Sequence, residues 1–263
     1  MKVVLFCGGL GLRVRELSEE IPKPMLTIGD RPILWHIMRY YAAFGHKDFI
    51  LCLGYHADAI RDWFLRYSQP QHNDFVLSSG GRSVELLPSE IHDWTITCVD
   101  TGLHTSIGER LKRVRQHLQG EDVFLANYGD NLTNAPLDKI VEAFKRSKDK
   151  TACFLSVRPG LSMHVVECGG GEGLRPVSSI RGVRDTELWV NGGYFVFRKD
   201  IFDDLEHCHE IVPDTFNRLI AQNRLVAWRH EGFWASMDTA KEMRQLNEDY
   251  AKGNVQWAVW ERR

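Results

Sequence analysis

Two short segments near the start of the chain hold the residues best suited to chemistry: Phe6-Cys7-Gly8-Gly9-Leu10-Gly11-Leu12-Arg13 and Pro22-Lys23-Pro24-Met25. Gly8, Gly9 and Gly11 have no Cβ, so the backbone N–H groups from Gly8 through Leu10 to Gly11 can close around phosphate oxygens. Arg13 adds a planar cation and Lys23 a point charge, both matched to a polyphosphate. Two carboxylates stand farther along. Asp130 ends Tyr128-Gly129-Asp130, where the glycine lets a ligand approach, and Asp238 ends Trp234-Ala235-Ser236-Met237-Asp238. Mg²⁺ binds through one or two carboxylates plus phosphate oxygens, so the pair suits a metal-bound triphosphate. Together these residue types point to nucleoside triphosphate binding with chemistry at phosphorus. Each has a plainer reading alone. Gly-x-Gly after a strand is common in α/β proteins, Lys23 suits a solvated loop, and Asp238 suits an N-cap of the last helix. A dinucleotide fingerprint would need a third glycine where Val14 stands, and no Gly-Lys-Ser/Thr follows to make a P-loop.

These side chains converge only if the elements between them place them at one edge. The apolar run Lys2-Val3-Val4-Leu5-Phe6 reads as a buried strand that the glycines terminate. Residues 32–44 read as a helix with proline at its start, 48–53 as a strand and 57–67 as a helix. Residues 69–93 are polar and glycine-bearing, a loop with short strands. Strand 94–99 precedes a helix marked by Ile107, Leu111, Val114 and Leu118. Strand 122–126 leads into Tyr128-Gly129-Asp130, and a helix marked by Leu137, Ile140, Val141 and Phe144 leads into strand 151–157. Gly169-Gly170-Gly171 mark a hairpin or loop, and strand 188–197 is interrupted at Gly192-Gly193. Two helices, a strand near Val226 and a helix from Ala240 follow. Alternating strands and helices predict an α/β fold: a mostly parallel, doubly wound, Rossmann-like sheet with small β insertions. Ligands of such sheets sit beyond the carboxyl ends of the strands, which is where the glycines and Asp130 fall.

The 263 residues suit a single domain spanning 1–263. The charge is near balance, 33 Lys+Arg against 35 Asp+Glu, which argues against nucleic acid and a polybasic membrane segment. No apolar stretch approaches the ~20 residues of a membrane span, and Met1 leads directly into a strand, so a cytoplasmic location is expected. The six cysteines lack CxxC spacing and several lie in apolar runs such as Ile96-Thr97-Cys98-Val99, which predicts reduced core thiols. The histidines form no HExxH or His-Cys cluster, and Ser236 lacks the glycines of a nucleophile elbow. Arg110, Lys112, Arg113 and Arg115 on one helix read first as a solvated charged face.

The chain resembles the sugar-1-phosphate nucleotidyltransferases, in particular their glucose-1-phosphate cytidylyltransferase branch, over nearly its whole length. The resemblance rests on Gly8-Gly9-Leu10-Gly11 with Arg13, Lys23-Pro24-Met25, Trp35-His36-Ile37-Met38, Val99-Asp100-Thr101-Gly102, Arg110-Leu111-Lys112-Arg113-Val114, Tyr128-Gly129-Asp130, Asn191-Gly192-Gly193, Gly232-Phe233-Trp234 and Met237-Asp238-Thr239. It implies the GT-A-like nucleotidyltransferase fold and a homo-oligomer, with Trp257 and Trp260 as a contact or as core. Arg13 and Lys23 would bind the triphosphate of CTP, Asp130 and Asp238 would bind Mg²⁺, and Thr105, Arg110, Asn191 and Gly192 would lie near nucleotide or sugar. A phosphate oxygen of the sugar phosphate would attack the α-phosphorus in line and release pyrophosphate, with no protein nucleophile.

Three departures from the family pattern matter, and the last two alter the acceptor half. Leu12 replaces a loop threonine. The usual Glu-Lys-Pro ahead of Asn-Gly-Gly is absent, leaving Arg181 or Arg184 to supply the missing cation. A Gly-Arg-Phe-Gly segment has become Gly160-Leu161-Ser162-Met163-His164, whose bulk would narrow the hexose space. The expected activity is therefore CMP transfer to a phosphate ester other than glucose-1-phosphate. Two other readings compete: a catalytically silent, regulatory sugar-nucleotide binder, and a nicotinamide-dependent oxidoreductase. The retained Arg13, Lys23, Asp130 and Asp238 weigh against the first, and the missing third glycine against the second.

Overall fold

The computed structural model describes residues 1–9, 21–67, 74–87, 91–160 and 163–262. Strand β1 (Lys2–Phe6) is buried from Val3 onward, as a central strand covered on both faces requires. A 3₁₀ turn at Lys23–Met25 follows, then the paired short strands β2 (Thr27–Ile28) and β3 (Arg31–Pro32). Pro32, with its φ near the helical value, caps α1 (Ile33–Ala43). Strand β4 (Asp48–Leu53) and helix α2 (Ala57–Arg66) come next, and β5 (Phe75–Ser78) pairs with β6 (Ser83–Leu86) as a hairpin. Then come β7 (Thr95–Asp100), α3 (Ile107–Arg113), β8 (Val123–Asn127), β9 (Asn131–Thr133), α4 (Leu137–Arg146) and β10 (Ala152–Val157). The hairpin of β11 (His164–Cys168) and β12 (Val177–Gly182) precedes β13 (Val190–Arg198). Helices α5 (Ile201–Leu205) and α6 (Phe216–Ala221), strands β14 (Leu225–His230) and β15 (Trp234–Ser236), and helix α7 (Ala240–Ala251) follow.

Seven strands form the main sheet in the order β14-β10-β13-β8-β1-β4-β7. The pairs of β1 with β4 and β8, of β4 with β7 and of β10 with β14 are parallel. Strand β13 runs against both its neighbours, β8 and β10. Alternate residues of β1 feed two cores: Val3 and Leu5 pack with α1 and α4, Val4 and Phe6 with α3, α5 and α6. This is the mostly parallel sheet with helices on both faces that the element order predicts.

Several local expectations are corrected. Gly192-Gly193 do not interrupt the strand. It runs continuously from Val190 to Arg198, and Gly193 takes φ +76° beside a register shift opposite Phe154 and Ser156, a place where only glycine is unstrained. The helix from Ile107 ends at Arg113, and a 3₁₀ turn (Arg115–Leu118) keeps Val114 and Leu118 on the core. All six cysteines are free, but only Cys7, Cys52 and Cys153 are buried. Cys98 is exposed because β7 is the edge strand of the sheet. Trp257 is buried, with its Nε1–H donating to His36 Nδ1 and its ring beside Phe233, so core is its role. Among the described residues no helix is long and apolar enough to cross a membrane.

Candidate active site

The carboxyl ends of β1 and β8 and the start of β13 meet at one edge, since β13 runs in the opposite sense. Gly8 and Gly9 lie just beyond β1; Leu10, Gly11 and Arg13 lie outside the described residues. Gly8 is forced by crowding from behind, because a Cβ there would sit 2.0 Å from an Arg110 guanidinium nitrogen. Gly129, which follows β8, has φ +81°, and a Cβ on it would sit 3.0 Å from the Phe6 carbonyl oxygen. Its N–H donates to Asn127 Oδ1 at 2.7 Å, which tightens the turn that presents Asp130.

Asp130 and Asp238 are 108 residues apart in the chain, and a small sheet brings them together. Strand β9 pairs antiparallel with β15, Asn131 opposite Ser236, and the Met237 N–H donates to the Asp130 carbonyl at 3.0 Å. Lys23, at the head of the 3₁₀ turn between Pro22 and Pro24, reaches into the same place. Its Nζ donates to Asp130 Oδ2 at 2.6 Å and to Asp238 Oδ1 at 2.5 Å, and the residue is 8% exposed. Asp130 Oδ1 also accepts from Asn131 Nδ2 at 2.7 Å. Asp238 is not the N-cap of α7. Thr239 takes that role in a reciprocal capping box with Glu242, which frees the Asp238 carboxylate to face Lys23. The Asp238 N–H donates to Glu242 Oε2 at 2.8 Å, so the cap also orients the carboxylate's own backbone.

Two carboxylate oxygens, Asp130 Oδ2 and Asp238 Oδ1, meet the Lys23 ammonium within reach of one point. That donor set suits a hard divalent cation that completes its shell with phosphate oxygens. Among the described residues no three His, Cys, Asp or Glu side chains group around a metal position.

Arg110, which reads in sequence as part of a solvated charged face, is instead buried behind Gly8. It donates to the carbonyls of Leu53, Gly8 and Leu103 and to Thr101 Oγ1 at 2.6–3.1 Å. Burial holds its pKa below the usual arginine range. Those contacts tie the guanidinium to the backbone around Gly8. Thr105 is half-buried beside Gly102, whose Cβ would lie 2.8 Å from its Oγ1. Asn191 donates weakly to the Tyr128 hydroxyl at 3.4 Å and accepts from the Gly193 N–H at 2.9 Å, and the Gly192 carbonyl accepts from Trp234 Nε1 at 2.9 Å.

The two arginines proposed to replace the missing lysine part ways. Arg181, in β12, pairs with Glu167 across the hairpin. Arg184 is exposed and hangs over Gly160, its Nη2 3.5 Å from where a Cβ would be. Met163 is 58% exposed and His164 is exposed where β11 begins, so neither narrows an enclosed space; Leu161 and Ser162 lie outside the described residues. The sequence reading missed Glu242, although Thr239-Ala240-Lys241-Glu242 has capping-box spacing. It also missed the β9–β15 pairing, which three-residue strands do not announce.

The nucleotidyl transferase family profile matches residues 2–253. A probable glucose-1-phosphate cytidylyltransferase of Bacillus subtilis is 33% identical over 264 residues, covering 99% of this chain and 100% of that one. Glucose-1-phosphate cytidylyltransferase of Salmonella typhimurium is 31% identical over 266 residues, again 99% and 100%. A solved structure of UDP-glucose pyrophosphorylase with UDP-glucose superposes with a TM-score of 0.68 at 16% identity. It covers 96% of this chain and 98% of that one, which establishes the shared fold. The chain belongs to the nucleotidyl transferase family and is an enzyme of that class.

Proposed function

We propose that this enzyme transfers CMP from CTP to a sugar-1-phosphate other than glucose-1-phosphate, releasing pyrophosphate and a CDP-activated product. The observation that carries the transfer chemistry is Lys23 held between Asp130 and Asp238 at the carboxyl edge, beside Gly8 and Gly129. The choice of CTP is supported by full-length relatives named as cytidylyltransferases. Asp130 and Asp238 would hold Mg²⁺, which would supply charge neutralisation at the phosphate oxygens. Lys23 sits where an ammonium can meet charge shifting onto departing pyrophosphate, and the glycine backbone can line the triphosphate. The acceptor phosphate lacks the family lysine, and Arg184 is the unpaired cation among the described residues that stands nearest its place in sequence; Arg181 is already paired.

The test is pyrophosphate release across CTP, UTP, dTTP and GTP with a panel of sugar-1-phosphates and Mg²⁺. CTP should be preferred and glucose-1-phosphate should be a poor acceptor. Release with no nucleotide, or a preference for another base, would overturn the reading, and efficient turnover of glucose-1-phosphate would overturn its acceptor half.

A further inference from the structure

Beyond Asn191 on the same edge lies a group of side chains that the transfer step does not use. Trp189, just ahead of β13, has the Arg158 guanidinium carbon 4.5 Å and the Arg229 guanidinium carbon 4.7 Å from its ring centroid. Strand register builds this group. Asn191 of β13 lies opposite Ser156 of β10, which lies opposite Arg229 of β14, so the three share one row and one face. Trp189 and Arg158, each two positions from a member of that row, continue the face at the carboxyl edge.

The group carries more positive charge than its surroundings balance. Arg158 donates to the Thr186 carbonyl and, at 3.3 Å, to Glu187, whose side chain is 87% exposed. Arg229 is exposed and makes no hydrogen bond or ion pair among the described residues, and Arg184 approaches Gly160, two residues past Arg158. Trp189 Nε1 is buried, also without a partner among the described residues. A guanidinium stacked on an indole keeps its in-plane donors free for a carboxylate or phosphate. Position decides which anion. Strands are about 4.8 Å apart, so β10 and β14 stand two and three strands, roughly 10 to 14 Å, from β8, which delivers Asp130. That is too far for the phosphate that reacts at the carboxylate pair, and about right for the far end of a sugar attached to it.

We propose that Arg158, Trp189 and Arg229 form an anion subsite for the distal end of the acceptor. The preferred acceptor is then a sugar-1-phosphate bearing a second anionic group, a carboxylate or a further phosphate. This inference rests on the acceptor reading above. It also explains how an anionic acceptor is tolerated in a site that already holds a triphosphate.

Calorimetric titration of the full chain, with Mg²⁺ and a non-hydrolysable CTP analogue, tests it with glucose-1-phosphate, glucuronic acid 1-phosphate and glucose 1,6-bisphosphate. At least one of the two probes with an anionic far end should bind about tenfold or more tightly than glucose-1-phosphate, the scale of one charge-assisted contact. Which one does so distinguishes carboxylate from phosphate. Arg229→Gln, an exposed and planar replacement, should bring the ratio near one, and Arg229→Lys should retain part of it. Equal affinities in the wild type, or a ratio unchanged in both Arg158→Gln and Arg229→Gln, would overturn the subsite. If the ratio persists while no nucleotide yields pyrophosphate, the transfer reading falls and the subsite stands. If CTP turnover is efficient and the ratio is absent, the subsite falls alone.

Discussion

Lys23 lies between two carboxylates with about one-tenth of its side chain exposed, so its charge is balanced locally and poorly screened by solvent. Replacing one carboxylate with a neutral amide removes a charged oxygen donor and makes the place less attractive to a divalent cation. Asp130→Asn and Asp238→Asn should therefore each lower kcat by about 10²-fold or more with Mg²⁺ saturating. Near-wild-type pyrophosphate release from both variants would remove them from the metal site. Lys23→Ala removes the ammonium that the proposed function sets against the leaving pyrophosphate, and kcat/KM should fall by about 10²-fold. If only the melting temperature changes, Lys23 is a structural bridge between the carboxylates.

Elements set these positions through contacts that touch no ligand. The capping box of α7 ties Thr239, Glu242 and the Asp238 backbone into one unit, and Ser236 at the end of β15 donates to Glu242 Oε1 at 3.1 Å. Thr239→Ala should cost about 1 kcal/mol of stability, as a lost cap does. Glu242→Ala removes acceptors from the N–H groups of Asp238 and Thr239 together, so it should cost more and also lower kcat with little change in KM for CTP. Chemical denaturation and steady-state kinetics on the two variants check this. A Glu242→Ala enzyme with unchanged kcat would show that the cap serves the helix alone. On the other side of the site, Arg110 donates to three carbonyls from α3 to brace the ends of β1 and β4 and the loop after β7. Arg110→Lys cannot reproduce that fork, so glycine-loop geometry, read as KM for CTP, should suffer in it despite the kept charge.

At the scale of the whole molecule, the C-terminal segment closes the core under the site. His36 Nε2 lies 3.0 Å from the Ile28 carbonyl, which can only accept, and Trp257 Nε1–H can only donate to Nδ1 at 3.3 Å. The ring is thereby held neutral with its proton on Nε2. Burial lowers its pKa to about 4, below the ordinary 6.5. The folded state then binds fewer protons than the unfolded chain between those values, so stability is full above about pH 6.5 and is lost as pH falls toward 4. The single group accounts for about 3 kcal/mol of that loss. Half-buried His46, also lowered to about 4 chiefly by burial, acts in the same direction. Melting temperature should drop steeply between pH 6.5 and 4, and His36→Gln should flatten the drop. An unchanged slope would show that other groups control it.

The sequence by itself determined most of what is periodic or sterically singular. The apolar alternation of β1, the proline-led α1 and the strand at 48–53 follow from local burial and backbone rules, which act within a few residues. Gly8 and Gly129 were legible because close approach leaves glycine few substitutes, and the meeting of Lys23, Asp130 and Asp238 because side chains of those types at strand ends suit one shared site. The tertiary structure decided what depends on long-range register. It reversed β13, paired β9 with β15, gave the helix cap to Thr239 so that Asp238 could face Lys23, and turned Arg110 from a solvated charge into a buried brace. It also gathered Arg158, Trp189 and Arg229, which come from three separate stretches of the sequence, onto one face. Such placements turn on which strands become neighbours, and that is settled by packing two cores over the whole chain rather than by any local preference.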